Sequence, residues 1–251
     1  MAVEMKGKQV QVYLEFGLAI LLIILLVGLA AKEKKIREQK TQQSVQEQKE
    51  SHEVAENEEE THPSQPVEEV IADGQYPIMG ESIVTANQMA EYFLSMGQPY
   101  PAQELAKGGA SDLETFCEIY CEEASAEGVR PEVAFVQTMK ETGFLQFGGD
   151  VSIEQFNFAG LGTTGGGVPG NSYPDVRTGV RAQIQHLKAY ATEDTLQGAC
   201  VDERYEYVKK GSAPYVEWLG QQENPLGVGW ATAEDYGYSI VEMIKKLKQI
   251  G

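Results

Sequence analysis

The residue with the clearest chemical potential is Glu141. It lies in KETGFLQFGGD, residues 140–150, directly after the amphipathic run RPEVAFVQTM and two residues before Gly143, a glycine able to stop that helix. A helix C-terminus is the negative end of the macrodipole and disfavours an ionised carboxylate. Phe144 and Phe147, just behind, would strip water from the carboxyl and push its pKa the same way. A carboxyl that keeps its proton at working pH is what general acid catalysis uses. Charged residues also end many helices without any catalytic duty, so position alone leaves both readings open.

Other groups with chemical potential read more simply. Gly160, Gly162 and Gly165 spell GxGxxG, but GGGVPG follows, which no helix could incorporate, so the strand–turn–helix context of a dinucleotide loop is missing. Glycines here serve to let backbone approach a ligand closely. His186 could be paired on paper with Cys117 or Cys121, yet both cysteines share a helical face with Leu113, Tyr120 and Ala124 and read as core thiols. His186 reads as a solvated or hydrogen-bonded histidine. A bridge from Cys200 to one of the helical pair stays open. The chain has no HExxH and no cluster of histidines with carboxylates, so no protein-held zinc and no cofactor is expected.

The elements that must position Glu141 are helical almost throughout. Helices are predicted over 86–95, 112–126, 131–142, 176–191 and 233–249. Their start signals are a Ser111–Glu114 capping box for the second, Pro131 in the first turn of the third, Asp175 for the fourth, and Thr232 with Asp235 for the last. No strand reads convincingly. The expected fold is therefore mainly α, a helical domain with one glycine-rich wall, FNFAGLGTTGGGVPGNSYPD, residues 156–175.

Composition divides the chain. Residues 1–31 contain FGLAILLIILLVGLAA, Phe16 to Ala31, sixteen residues without a charge. With its neighbours this is long enough for a transmembrane anchor, with a cleaved signal peptide as the alternative. Residues 32–85 are rich in Lys, Gln, Glu and Ser and too poor in apolar residues to form a core, so they read as an acidic, largely disordered tether. Residues 86–251 suffice for one domain. The net charge of −18 has no basic stripe to set against it, which excludes a nucleic-acid partner.

Four segments in order, EVAFVQTMKETGFLQFGGD, QFNFAGLG, YPDVRTGVRAQIQHLKAYA and GWATAEDYGYSIVEMIKKL, together resemble the endo-β-N-acetylglucosaminidase domain of bacterial autolysins, glycoside hydrolase family 73. The resemblance covers about residues 86–249. It sets Glu141, Thr142, Gly143 and Phe144 on the family's glutamate–small–glycine–aromatic motif, Asn157, Phe158, Ala159, Gly160 and Leu161 on its NLFGI-like segment, and Tyr236 on the tyrosine of its YATDPxYA-like segment.

The resemblance implies a lysozyme-like fold and hydrolysis of the β-1,4 bond after N-acetylglucosamine in peptidoglycan. Glu141 would be the general acid. Asn157, Phe158, Gly160, Tyr236, Phe144 and Trp230 would line or contact the glycan, although Trp218 and Trp230 are equally suited to a core. Family members often carry a second glutamate in a small β-lobe. Residues 157–174 contain no acid, so the glycine-rich loop stands in place of that lobe, and Asp175, Glu154 and Asp150 remain as second carboxylates, with Asp175 put forward. The substrate's own acetamido group could serve instead.

A muramidase or lytic transglycosylase on the same fold, or a catalytically inactive wall-binding protein, fits the same pattern. The expected setting is a cell membrane with the domain on the cell-wall side, peptidoglycan strands as partner and the N-terminal helix in the bilayer. Lys32, Lys34, Lys35 and Arg37 follow the apolar span, and the positive-inside rule taken alone would put the domain in the cytoplasm.

Overall fold

A computed structural model describes residues 75–250. The anchor at 16–31 and nearly all of the tether fall outside these residues. No helix among the described residues is long and apolar enough to cross a membrane.

Six α-helices lie among the described residues: α1 Ala86–Ser95, α2 Ala102–Ala106, α3 Leu113–Glu127, α4 Pro131–Thr142, α5 Val176–Ala191 and α6 Tyr236–Lys248. Short 3-10 turns lie at Ile153–Gln155, Tyr205–Tyr207 and Val216–Leu219. The described residues contain no sheet, only isolated bridges such as Pro77 with Tyr215 and Met79 with Val129. The mainly α expectation holds. Residues 156–175 form an irregular glycine-rich loop without strands.

Helix α4 is the axis of the domain. Every residue from Glu132 to Met139 is buried, with α3, α5 and α6 packed around it. Val133, Phe135, Val136 and Met139 contribute its apolar contacts, and Tyr120, Phe116, Ile184, Leu187, Ile240, Ile244 and Leu247 complete the core. At a transfer value of roughly 1.5–3 kcal/mol per fully buried large apolar side chain, this cluster is the main source of stability. Cys117 lies in it, Cys121 packs at its edge and Cys200 is exposed, all three as free thiols.

Two helix starts differ from expectation. Helix α3 is capped by Asp112, whose Oδ1 accepts from the Thr115 N–H at 2.8 Å, rather than by a Ser111–Glu114 box. The shorter carboxylate one residue along reaches the free amide of the first turn. Helix α6 begins at Tyr236, with Asp235 in the left-handed region at φ 55° and making no side-chain cap. The Glu223 carboxylate accepts from the Asp235 N–H at 2.7 Å, which ties the residue before the helix to another loop, and Thr232 does not cap it.

The folded domain also starts earlier than composition indicates. Residues 75–85, assigned to the tether, carry Tyr76, Ile78 and Val84 into the core. Ile78 N–H donates to Pro214 O at 3.0 Å, and its carbonyl accepts from Arg130 N–H at 2.9 Å. The Tyr76 hydroxyl donates to the buried Glu132 carboxylate at 2.6 Å.

Gly179 fixes how the glycine-rich wall meets the helices. A Cβ there would run into the carbonyl oxygen of Phe156, the residue that leads into Asn157. Backbone cannot retreat as a flexible side chain can. Gly179→Ala is expected to lower stability by about 1–3 kcal/mol, read as a shift of the urea midpoint, and an unchanged midpoint would show that the wall is not wedged against α5.

Candidate active site

Helix α4 ends abruptly. Gly143 caps it at φ 58°, ψ 50°, and Phe144 and Leu145 stay in the left-handed region at φ 57° and 62°, with Phe147 following at 54°. Bulky residues rarely adopt this conformation, and each such residue costs on the order of 1–3 kcal/mol. Packing holds the turn: Leu145 is buried, and Phe144 lies against Tyr92 and Phe93 at ring distances of 6.0 and 6.4 Å. Thr142 fastens the turn below, its hydroxyl donating to Thr138 O at 2.7 Å and accepting from Leu145 N–H at 2.9 Å.

This reversal leaves Glu141 facing a cleft of about 300 Å³, whose lining includes Gly143, Phe147, Asp150, Asn157, Gly160 and Thr163. Glu141 is exposed on the cleft side, but protein surrounds its carboxyl closely elsewhere, and desolvation is the largest influence on it, raising its pKa above the ordinary value. A hydrogen bond from the Tyr236 hydroxyl and the charge of Lys140 act in the opposite direction and only in part. The expected direction of shift holds, with a different cast. Phe147 lines the cleft, whereas Phe144 turns away from it into the core.

Tyr236 is fully enclosed and donates to Glu141 Oε1. Burial first, then the neighbouring carboxylate, push its own pKa well above the ordinary tyrosine value, so it remains a proton-bearing donor. Behind it runs a chain of buried polar side chains. Gln137 Nε2 donates to the Tyr236 oxygen at 3.1 Å, Gln183 Nε2 donates to Gln137 Oε1 at 2.9 Å and to Ala134 O at 2.9 Å, and Thr138 donates to Gln183 Oε1 at 2.8 Å. Tyr120 closes the chain against Thr138 at 2.6 Å. With the Gln183 amide anchored at both ends, Gln137 can present only its NH2 to Tyr236, which leaves the tyrosine proton directed at Glu141.

The remaining predicted residues separate into groups. Asn157 lines the cleft but spends its amide on the loop: Nδ2 donates to Leu161 O at 2.9 Å and Asn171 O at 3.1 Å, while Oδ1 accepts from Leu161 N–H at 2.9 Å. Gly160 lines the cleft wall. Phe158 is wholly buried against Phe116 at 5.3 Å and is a core residue. Asp175 does not line the cleft. It caps α5, accepting from Thr178 N–H at 2.7 Å.

The acid that does share the cleft with Glu141 is Asp150, held by the Gly167 N–H at 3.1 Å. Trp230 stands off this cleft, in an adjoining pocket, edge-on to His186 at 4.9 Å. Thr163, Gln137 and Gln183 carry no signal in the sequence. A polar residue on a helix ordinarily faces solvent, and only the arrangement of helices turns these two glutamines inward.

A family model described as glucosaminidase, mannosyl-glycoprotein endo-beta-N-acetylglucosaminidase, matches residues 117–249. The chain belongs to this glucosaminidase family. It therefore carries a glycoside hydrolase domain, and the match spans α4, the glycine-rich wall, α5 and α6. The chain is also similar to an uncharacterized protein of Borreliella burgdorferi, 42% identical over 104 residues, which amount to 41% of this chain and 51% of that protein. The chain thus matches about half the length of that relative. No solved structure matches it.

The raised pKa of Glu141 has a consequence for stability. A carboxyl whose folded pKa lies above its unfolded value binds its proton more tightly in the folded state. Folding free energy is then lost as pH rises from the ordinary carboxyl range through the raised value. Glu141→Gln cannot ionise and should be more stable than the wild type at pH 7, with the difference shrinking at pH 4. Urea midpoints at both pH values check this, and equal differences at the two would mean that the shift is absent.

Proposed function

We propose that the protein hydrolyses the β-1,4 glycosidic bond after N-acetylglucosamine in bacterial peptidoglycan, with Glu141 as the general acid. The observation that carries this reading is a carboxyl with a raised pKa, hydrogen-bonded to an enclosed tyrosine, at the floor of an open cleft. Bond cleavage requires protonation of the leaving oxygen, and a carboxyl that holds its proton longer than an ordinary one supplies it. The tyrosine stabilises the carboxylate left after proton transfer, so it supports the second half of the step rather than the first.

Asp150 is the better second carboxylate than Asp175, because it lines the same cleft while Asp175 is committed to the start of α5. Its role is to stabilise the positive charge that develops on the sugar ring, or to position the water that attacks it. Asn157 and Gly160 shape the wall against which the sugar lies. The N-terminal apolar segment would hold the domain to a membrane on the cell-wall side, with an insoluble polymer within reach of its tether.

The chain should clear peptidoglycan in a zymogram and release new reducing ends on N-acetylglucosamine. Glu141→Gln should lower turnover by about 10²–10⁴, the usual contribution of a positioned general acid. Asp150→Asn should lower kcat, and Asp175→Asn should reduce stability with little effect on kcat. New ends on N-acetylmuramic acid, or anhydro termini, would replace the glucosaminidase reading with a muramidase or transglycosylase one. Undiminished clearing by Glu141→Gln would remove that residue from the mechanism.

A further inference from the structure

Beyond the Glu141 cleft lies a second pocket of about 210 Å³ that shares Gly160 and Thr163 with it. Trp230, Tyr190 and His186 form one side, and Arg204 and Tyr207 are among its other lining residues. Its floor is firmly built. His186 Nδ1 pairs with Asp202 Oδ2 at 2.7 Å, the Asp202 side chain being fully enclosed. The other Asp202 oxygen accepts from the Arg204 N–H at 2.8 Å. The Gln185 side chain laces the segment before it to α5, accepting from Val201 N–H at 2.8 Å and donating to Ala199 O at 2.9 Å. Tyr190 is tied to Gly229 O at 3.0 Å.

Among the described residues, Arg204 is the one lysine or arginine lining either pocket. Its guanidinium stacks over the Tyr207 ring at 4.5 Å and has no carboxylate partner among the described residues. Tyr207 is 75% exposed, an open ring beside an open charge. Asp202 is taken up by His186 and by backbone, while Glu203 and Glu206 are exposed and do not line the pocket. In a chain of net charge −18, such a fork beside a sugar-binding cleft is arranged for an anion. A guanidinium matches a carboxylate in a bidentate pair, and the aromatic faces suit the aliphatic part of the group that carries it. A neutral sugar alone would leave that charge unanswered.

We propose that this pocket binds a carboxylate on the acidic side branch of the glycan, so that the protein selects strands that carry such branches. This rests on the glycan reading given above. The carboxylate could come from the peptide attached to the muramic acid or from the lactyl group itself where the peptide has been removed.

The test measures binding of the full chain in the Glu141→Gln background, where the glycan stays intact, by co-sedimentation with four preparations: native peptidoglycan, peptidoglycan stripped of peptide, and each of these with its free carboxylates capped as methylamides. Capping should weaken binding about tenfold, the scale of one charge-assisted hydrogen-bonded pair. Arg204→Ala should weaken binding to the strand that presents the recognised carboxylate by the same factor and bind its capped and uncapped forms alike.

Lys209→Ala, an exposed neighbour outside the pocket, should leave the discrimination intact. Tight binding to stripped strands assigns the lactyl carboxylate, and weak binding assigns the peptide. Binding that capping leaves unchanged on both the native and the stripped strands, or an equal loss from Arg204→Ala on capped and uncapped material, overturns the pocket. Turnover by the wild-type chain is scored separately, so absence of cleavage would sink the hydrolase reading while leaving this binding result to stand or fall by itself.

Discussion

The geometry of this domain depends on one row of hydrogen bonds threaded through its core. Tyr120, Thr138, Gln183, Gln137 and Tyr236 come from α3, α4, α5 and α6, and the row ends on Glu141. Each member is buried, where an unpaired polar atom would be costly, so each is obliged to take one orientation. The row therefore ties four helices into a single register and delivers a directed proton to the carboxyl at the cleft. Core packing and site geometry are the same set of contacts here.

Much of the helical frame was legible in the chain. Pro131 and Gly143 bracket α4, and Asp175 caps α5, so local rules alone placed both ends of α4 and the start of α5. The family motifs carried Glu141, Asn157 and Tyr236 to one neighbourhood, and the structure brings Tyr236 onto Glu141 across 95 residues of sequence. What local rules missed is what depends on distance. Glu223 serves α6 from another loop, and Tyr76 finds a partner in Glu132 far along the chain. Asp150 was one of three open choices because no periodicity governs an irregular loop. Phe158 and Phe144 sit in aromatic motifs yet face the core, a distinction that motif matching does not make.

The glycine-rich wall shows how a cleft can be formed without a sheet. Loop segments come together closely enough that Gly170 has room for no Cβ, with Leu161 O at 2.6 Å from where one would stand. Asn171 N–H donates to Leu161 O at 2.8 Å, and the Asn157 amide bridges the same two segments. One asparagine and a few glycines thus do for this wall what paired strands do elsewhere, and Asn157, Gly160, Thr163 and Gly165 of the wall line the cleft.

The segment that opens the domain is bonded on two sides at once. Residues 76 and 78 exchange hydrogen bonds with 214 and 216, while 78 and 80 do so with 128 and 130. A tensile load applied through residue 75 would fall on both seams together, with the Tyr76–Glu132 contact behind them, so the hydrogen bonds share the force instead of opening one after another.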